Sequence, residues 1–132
     1  MHRLIYISST RTAFADSELE EILRVSRRNN AAVGVTGLLV AGGRRFLQVL
    51  EGTEDAIDAV FQRIKQDPRH HAVVVLSRSA IAAPNFAQWS MGYARSGADG
   101  SLPETVAELL APVTDPNLRG YFEGFAQVHA AA

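Results

Sequence analysis

The chain has 132 residues, no cysteine and a net charge of −1 from thirteen basic and fourteen acidic side chains. Hydrophobic residues make up 47% and charged residues 20%, the balance of one ordinary globular domain able to bury a core without covalent staples. This composition excludes disulfides, thiol nucleophiles and cysteine-ligated metal, gives no electrostatic case for nucleic acid or an anionic membrane, and offers no apolar run near the ~20 residues of a span, so a soluble cytoplasmic protein is expected.

Arg3–Ser9 is rich in β-branched and aromatic residues and predicts a strand. A helix should follow, with Ser17 and Glu20 as a capping box. On it Leu19, Ile22, Leu23, Ser26 and Asn30 recur at helical spacing, and Ile22, Ser26 and Asn30 stack along one stripe. Val33–Ala41 and Arg44–Glu51 are apolar runs joined by Gly42-Gly43, a hairpin pattern. Thr53 caps a second expected helix with Ile57, Val60, Phe61 and Ile64 facing inward, and Asp67-Pro68 stops it. His71–Ser77 predicts a fourth strand and Trp89–Ala94 a short fifth. Beyond Gly97 two further helices are expected, one near Leu102–Pro112 capped by Ser101, the other opening at Asp115-Pro116 with an apolar stripe from Leu118 to Val128.

The order βαββαββ predicts an α+β, ferredoxin-like sheet with two helices on one face. The two C-terminal helices are the natural cover for the other. Residues 1–95 read as the functional domain and 96–132 as a helical extension in the same structural unit.

Gln48 is the anomaly in this pattern. Phe46 and Leu50 share its face of the third strand, and Leu47 and Val49 occupy the other. A carboxamide has two donors and two acceptor lone pairs, and an unmet one in a dry core costs about 1–3 kcal/mol. Tyr6, in the first strand, is its candidate partner, because strands one and three are neighbours in such a sheet. The helical stripe Ile22–Asn30 and Ile64 would look down on the pair, leaving an apolar slot with a few convergent polar groups.

Six segments in register with this reading resemble the BLUF domain, a family of blue-light sensors that use FAD. They are LIYIS with Tyr6, SRRNN with Asn29 and Asn30, GVTGLL, FLQVLEG with Gln48, RIKQDPRH, and FAQWSMG. The resemblance covers about residues 2–95 and looks like that of small members with a short helical tail and no enzymatic output domain. It implies that Tyr6 donates an electron and a proton to the excited flavin and that Gln48 bridges Tyr6 to the flavin ring. It implies that Asn30, with Asn29 beside it, bonds the flavin carbonyl edge. Ile22 and Ile64 would sandwich the ring, with Ser26 on the same stripe. Arg63, Asp67, Arg69 and His70 fall where the flavin's polar chain would run. Trp89 and Met91 match the pair associated with signal output, and which of the two lies next to the flavin stays open. Asn85 departs from the family pattern, where many members carry arginine. A downstream signalling protein of unknown identity and a homo-oligomer are the expected partners, and FAD is the implied cofactor, with its occupancy against FMN left open by the sequence.

Taken singly, these residues have plainer readings. Asn29-Asn30 could be a helix C-cap, and Arg27-Arg28 and Arg44-Arg45 read as solvated charge. His70 and His71 point to opposite faces if both lie in a strand, which argues against a shared metal. An enzyme on the same fold, such as an acylphosphatase-type hydrolase, needs a phosphate-cradling loop. The stretch Ser8–Thr12 has no glycine to form one, and no Ser/His/Asp constellation stands out. A flavin-free interaction module is the other alternative, and the joint presence of Tyr6, Asn30 and Gln48 argues against it. The expected function is therefore sensory and not enzymatic.

Overall fold

Alternation along the central strands decides the architecture. In the computed structural model, which describes residues 1–10, 16–42, 44–87, 89, 91–95 and 101–129, the first strand β1 is His2–Ser9 and the third, β3, is Arg45–Gly52. Leu4, Tyr6, Phe46 and Leu50 enter one apolar cluster, while Ile5, Leu47 and Val49 enter another. Strands buried on both faces need cover on both, and both layers are present.

The sheet has five strands in the order β4-β1-β3-β2-β5, with β2 at Thr36–Gly42, β4 at His71–Ala80 and β5 at Gly92–Arg95. All pairings are antiparallel except β2 with β5. Helices α1 (Asp16–Ala32) and α2 (Glu54–Gln66) contribute Leu19, Leu23, Ile57, Val60 and Phe61 to the cluster that holds Tyr6. Helices α3 (Leu102–Leu109) and α4 (Pro116–Val128) cover the opposite face through Leu102, Val106, Leu118 and Phe122. The expected α+β, ferredoxin-like arrangement is the one observed, with the C-terminal helices on the far face.

Local signals place three of the four helix starts. Thr53 accepts from the Ala56 N–H, Ser101 from Glu104, and Asp115 from Asn117 and Leu118. Asp67 turns extended and ends α2. The expected box at Ser17 and Glu20 is not a cap. The helix already begins at Asp16, so Ser17 lies within its first turn and the cap position falls among residues outside those described.

Other boundaries also move. The second strand begins at Thr36 and not Val33, because the Asn30 carbonyl receives the N–H groups of Val33 and Val35 while Gly34 takes a left-handed φ of 71° to close α1. The fifth strand begins at Gly92 and not Trp89. The Trp89 N–H bonds back to the Phe86 carbonyl at 3.0 Å, and its indole stacks on the Phe86 ring, so this stretch is a turn. The third helix ends at Leu109, short of Pro112, and the fourth strand runs on to Ala80. Gly43, in the expected hairpin turn, lies outside the described residues. Among the described residues no helix is long and apolar enough to cross a membrane, and no cluster of side chains could hold a metal ion.

Candidate functional site

The β1–β3 register sets Tyr6 directly opposite Gln48. Both side chains point to the α1/α2 face, and both are buried, at 1% and 5% exposure. The Tyr6 hydroxyl donates to Gln48 Oε1, and Gln48 Nε2 reaches the Met91 Sδ at 3.3 Å. A thioether is a weak acceptor, so the donor end of the amide has capacity for a better partner. Burial pushes the Tyr6 phenol far above its ordinary pKa, which keeps the hydroxyl protonated throughout the physiological range. Phe61 packs against the Tyr6 ring with centroids 5.3 Å apart.

Above this pair a cleft of about 570 Å³, partly open to solvent, separates α1 from α2. The stripe anticipated on α1 is its first wall: Ile22, Ser26, Asn29 and Asn30 all line it. Val60, Arg63 and Ile64 of α2 form the second wall, and Gln48 lies at the base. Asp67, Arg69 and His70 border it where α2 hands over to β4. Tyr6, Leu39 and Phe46 line a deeper compartment that shares Ile22, Gln48, Ile64 and His70 with the cleft.

The chemistry of these walls is uneven. Ile22 and Ile64 offer flat aliphatic contact, while three carboxamides (Asn29, Asn30 and Gln48) supply donors and acceptors. That set fits the face and the polar edge of an isoalloxazine. At the rim the Asp67 carboxylate takes Arg69 in a two-pronged bond, Nη2 at 2.6 Å and Nε at 3.0 Å, and this contact holds the carboxyl below its ordinary range. Arg63 and Arg69 are exposed there, suited to an anionic tail.

The pair named for signal output divides. Met91 is 2% exposed and touches the Gln48 amide. Trp89 is partly buried against the other cluster, with Phe86. Both precede β5 and neither is part of it. Two residues escaped the sequence reading. Arg27, taken for solvated charge, donates through Nε to the Met91 carbonyl at 3.0 Å. Glu51, wholly buried, accepts from the Asn85 and Phe86 backbone. A lone carboxylate at the end of an otherwise apolar strand was the available signal for the second; nothing local marked the first.

Residues 1–92 match the model of the BLUF family, described as sensors of blue-light using FAD. The blue light- and temperature-regulated antirepressor BluF of Escherichia coli (strain K12) is 35% identical over 88 residues, covering 67% of this chain and 22% of that protein. The photoactivated adenylate cyclase subunit beta of Euglena longa is 34% identical over 93 residues, covering 69% of this chain and 11% of its own. The chain thus spans only a small part of these curated relatives. Among solved structures, BlrB, a BLUF protein in its dark state, aligns with a TM-score of 0.75 at 28% identity, covering 99% of this chain and 96% of that one. Klebsiella pneumoniae BlrP1, with FMN and cyclic diGMP, aligns at 0.80 and 30% identity over 96% of this chain and 34% of its own. With its sheet, its cleft and its sequence all in agreement, the chain belongs to the BLUF family of blue-light sensors that use FAD.

Proposed function

We propose that this chain senses blue light through the Tyr6–Gln48–Met91 triad at the base of the α1/α2 cleft. The observation that carries the reading is the amide of Gln48, bonded at one end to a phenol and at the other to a thioether. Ile22 and Ile64 would sandwich the flavin ring, with Ser26 beside Ile22. Asn29, Asn30 and Gln48 would bond its polar edge. Arg63, Asp67, Arg69 and His70 would accompany its polar chain.

The bound flavin supplies absorption of blue light and, once excited, an acceptor for an electron and a proton. Tyr6 releases both. Its phenol stays protonated until then, so the proton leaves the hydroxyl only with the electron. The Gln48 amide, held at one end by Tyr6 and at the other by Met91, would respond by exchanging its donor and acceptor ends. An amide turned in this way no longer presents Nε2 to the Met91 sulfur, and Met91 is released from the cleft. No substrate is consumed, and the output is a rearranged loop.

Residues 1–95 act as the sensory part and 96–132 as an extension that reads the sheet from its other face. The receiver is a partner effector, and self-association into a homo-oligomer is part of the proposal. FAD is the expected occupant.

Spectra before and after blue light test the reading. The purified protein should be yellow and show a small red shift that reverses in the dark. Tyr6→Phe and Gln48→Leu should keep the flavin and lose the shift. A normal photocycle in Gln48→Leu would show that the amide is not the switch.

A further inference from the structure

Glu51 sits near the end of β3, on the face opposite Gln48, with no exposure to solvent. Among the described residues its two oxygens accept three hydrogen bonds, and all of these come from one irregular connection. Oε1 takes the backbone N–H of Asn85 at 2.8 Å and of Phe86 at 3.0 Å, and Oε2 takes Asn85 Nδ2 at 2.8 Å. An apolar side chain, like the neighbouring Leu47 and Val49, would fill such a position with no desolvation cost. A carboxylate there acts as an anchor for the loop.

What the anchor holds leads to the switch. Phe86 stacks on Trp89 with ring centroids 5.9 Å apart and planes 20° off parallel. The Trp89 carbonyl accepts from the Gly37 N–H at 3.2 Å. Gly92 lies so close beneath the indole that a Cβ would come within 2.8 Å of Trp89 Cε3. Between Trp89 and Gly92 stands Met91, held by Arg27 at its carbonyl and by Gln48 at its sulfur.

We infer that Glu51 is a positioning residue for the light switch: it pins the Asn85–Phe86 turn, which keeps Trp89 outside and Met91 against the Gln48 amide, and so sets the lifetime of the light-adapted state. The inference rests on Gln48 being the switch. A pinned loop keeps the amide dry, and a dry amide must break its hydrogen bonds with nothing to replace them when it rotates back. A loosened loop admits water, which offers transient partners and lowers that barrier. Loss of the anchor therefore shortens the light-adapted state.

Glu51→Ala removes all three contacts. Glu51→Gln is the conservative control, since its oxygen can keep both backbone bonds and its amide can face a flipped Asn85. In the flavin-loaded protein, Glu51→Ala should keep the red shift and recover in the dark about tenfold faster or more, a barrier change of about 1.4 kcal/mol. Glu51→Gln should stay near wild type. Trp89 is the chain's single tryptophan, so acrylamide quenching of intrinsic fluorescence reads the loop independently of the photocycle. Quenching should rise at least twofold in Glu51→Ala and stay near wild type in Glu51→Gln. Wild-type recovery in Glu51→Ala, unchanged quenching, or equal acceleration in both variants would overturn the inference. Should Glu51→Ala fail to fold, Asn85→Ala removes one bond from a half-buried loop residue and should give a smaller acceleration with the same sign; no change there overturns it equally. If the wild type shows no red shift at all, the switch assignment fails while the quenching comparison still judges the anchor.

Discussion

His70 stands with Nδ1 2.9 Å from the Ser8 hydroxyl and its ring against Phe46, on the wall that also holds Tyr6 and Gln48. Burial pulls its pKa below the ordinary 6.5, ahead of an opposing pull from Asp67 and a reinforcing push from Arg69. The unfolded chain then binds more protons than the folded one just below 6.5, so stability falls as the pH drops through that value. The fall levels off once the pH passes below the folded pKa, where both states are charged. His129 is shifted in the same direction by burial and by Arg45, so only a difference between variants assigns the effect. His70→Gln keeps a group that can bond Ser8 but cannot titrate. Melting curves from about pH 7 to about pH 5 should show a shallower loss of Tm in His70→Gln than in wild type. Parallel curves would mean that His70 binds protons in the fold as it does in the unfolded chain and that its burial has no effect. The same burial acts on Tyr6 with the opposite direction of shift and the same consequence for charge, since it keeps that group neutral to high pH. The light response should therefore not titrate through the phenol.

The fourth helix is tied to the sheet at its N-cap. Asp115 caps α4 by accepting from Asn117 and Leu118, and its other oxygen takes Arg3 Nη1 of β1 at 2.7 Å. Arg3 is itself buried, with Nε unbonded. Asp115→Ala removes the cap and also strands the guanidinium, so it should cost about 2 kcal/mol or more by denaturant unfolding, against about 1 kcal/mol for a cap alone. Asp115→Asn keeps the cap and should cost less; equal losses would mean that the cap contributes nothing and the ion pair accounts for the whole effect. Arg3 holds the Asp115 carboxyl below its ordinary 3.8, so its stabilisation is complete above that value and fades as the pH falls beneath it. The cap at Asp115, like those at Thr53 and Ser101, was legible because a cap is written within a few residues. Tyr6 and Gln48 were legible because alternation fixes a strand's faces and makes a polar intruder conspicuous. The choice between Trp89 and Met91 was not, since it depends on an indole folding back onto Phe86 and turning an expected strand into a turn. Nor were Arg27 and Glu51, whose partners lie in that same turn, far away along the chain. Alternation and spacing carry no information about which loop a side chain will meet.

Each central strand serves two cores at once. Ile5 lies beside Tyr6, and Leu47 and Val49 flank Gln48, so every residue at the base of the cleft has a chain neighbour packed under α3 and α4. A helix face built on Leu118, Phe122 and Phe125 is thus separated from the cleft by one layer of sheet. A sheet shared in this way should couple the two sides into one cooperative unit, as small single domains usually behave. Flavin binds only where the cleft is formed, so it stabilises the folded chain by mass action. At about 100 times its Kd the gain is about 2.7 kcal/mol, and for a domain of this size that is a rise in Tm of roughly 10 °C. Stripping the flavin should lower Tm by that order. Far-ultraviolet circular dichroism and Trp89 fluorescence should then report one coincident transition in both forms. Trp89 packs with the α3/α4 cluster, across the sheet from the cleft. If its transition did not move when the cleft was emptied, the two cores would melt independently. The sheet would then be an inert partition, and a signal begun at Gln48 would have to reach its partner around the edge of the sheet instead of through it.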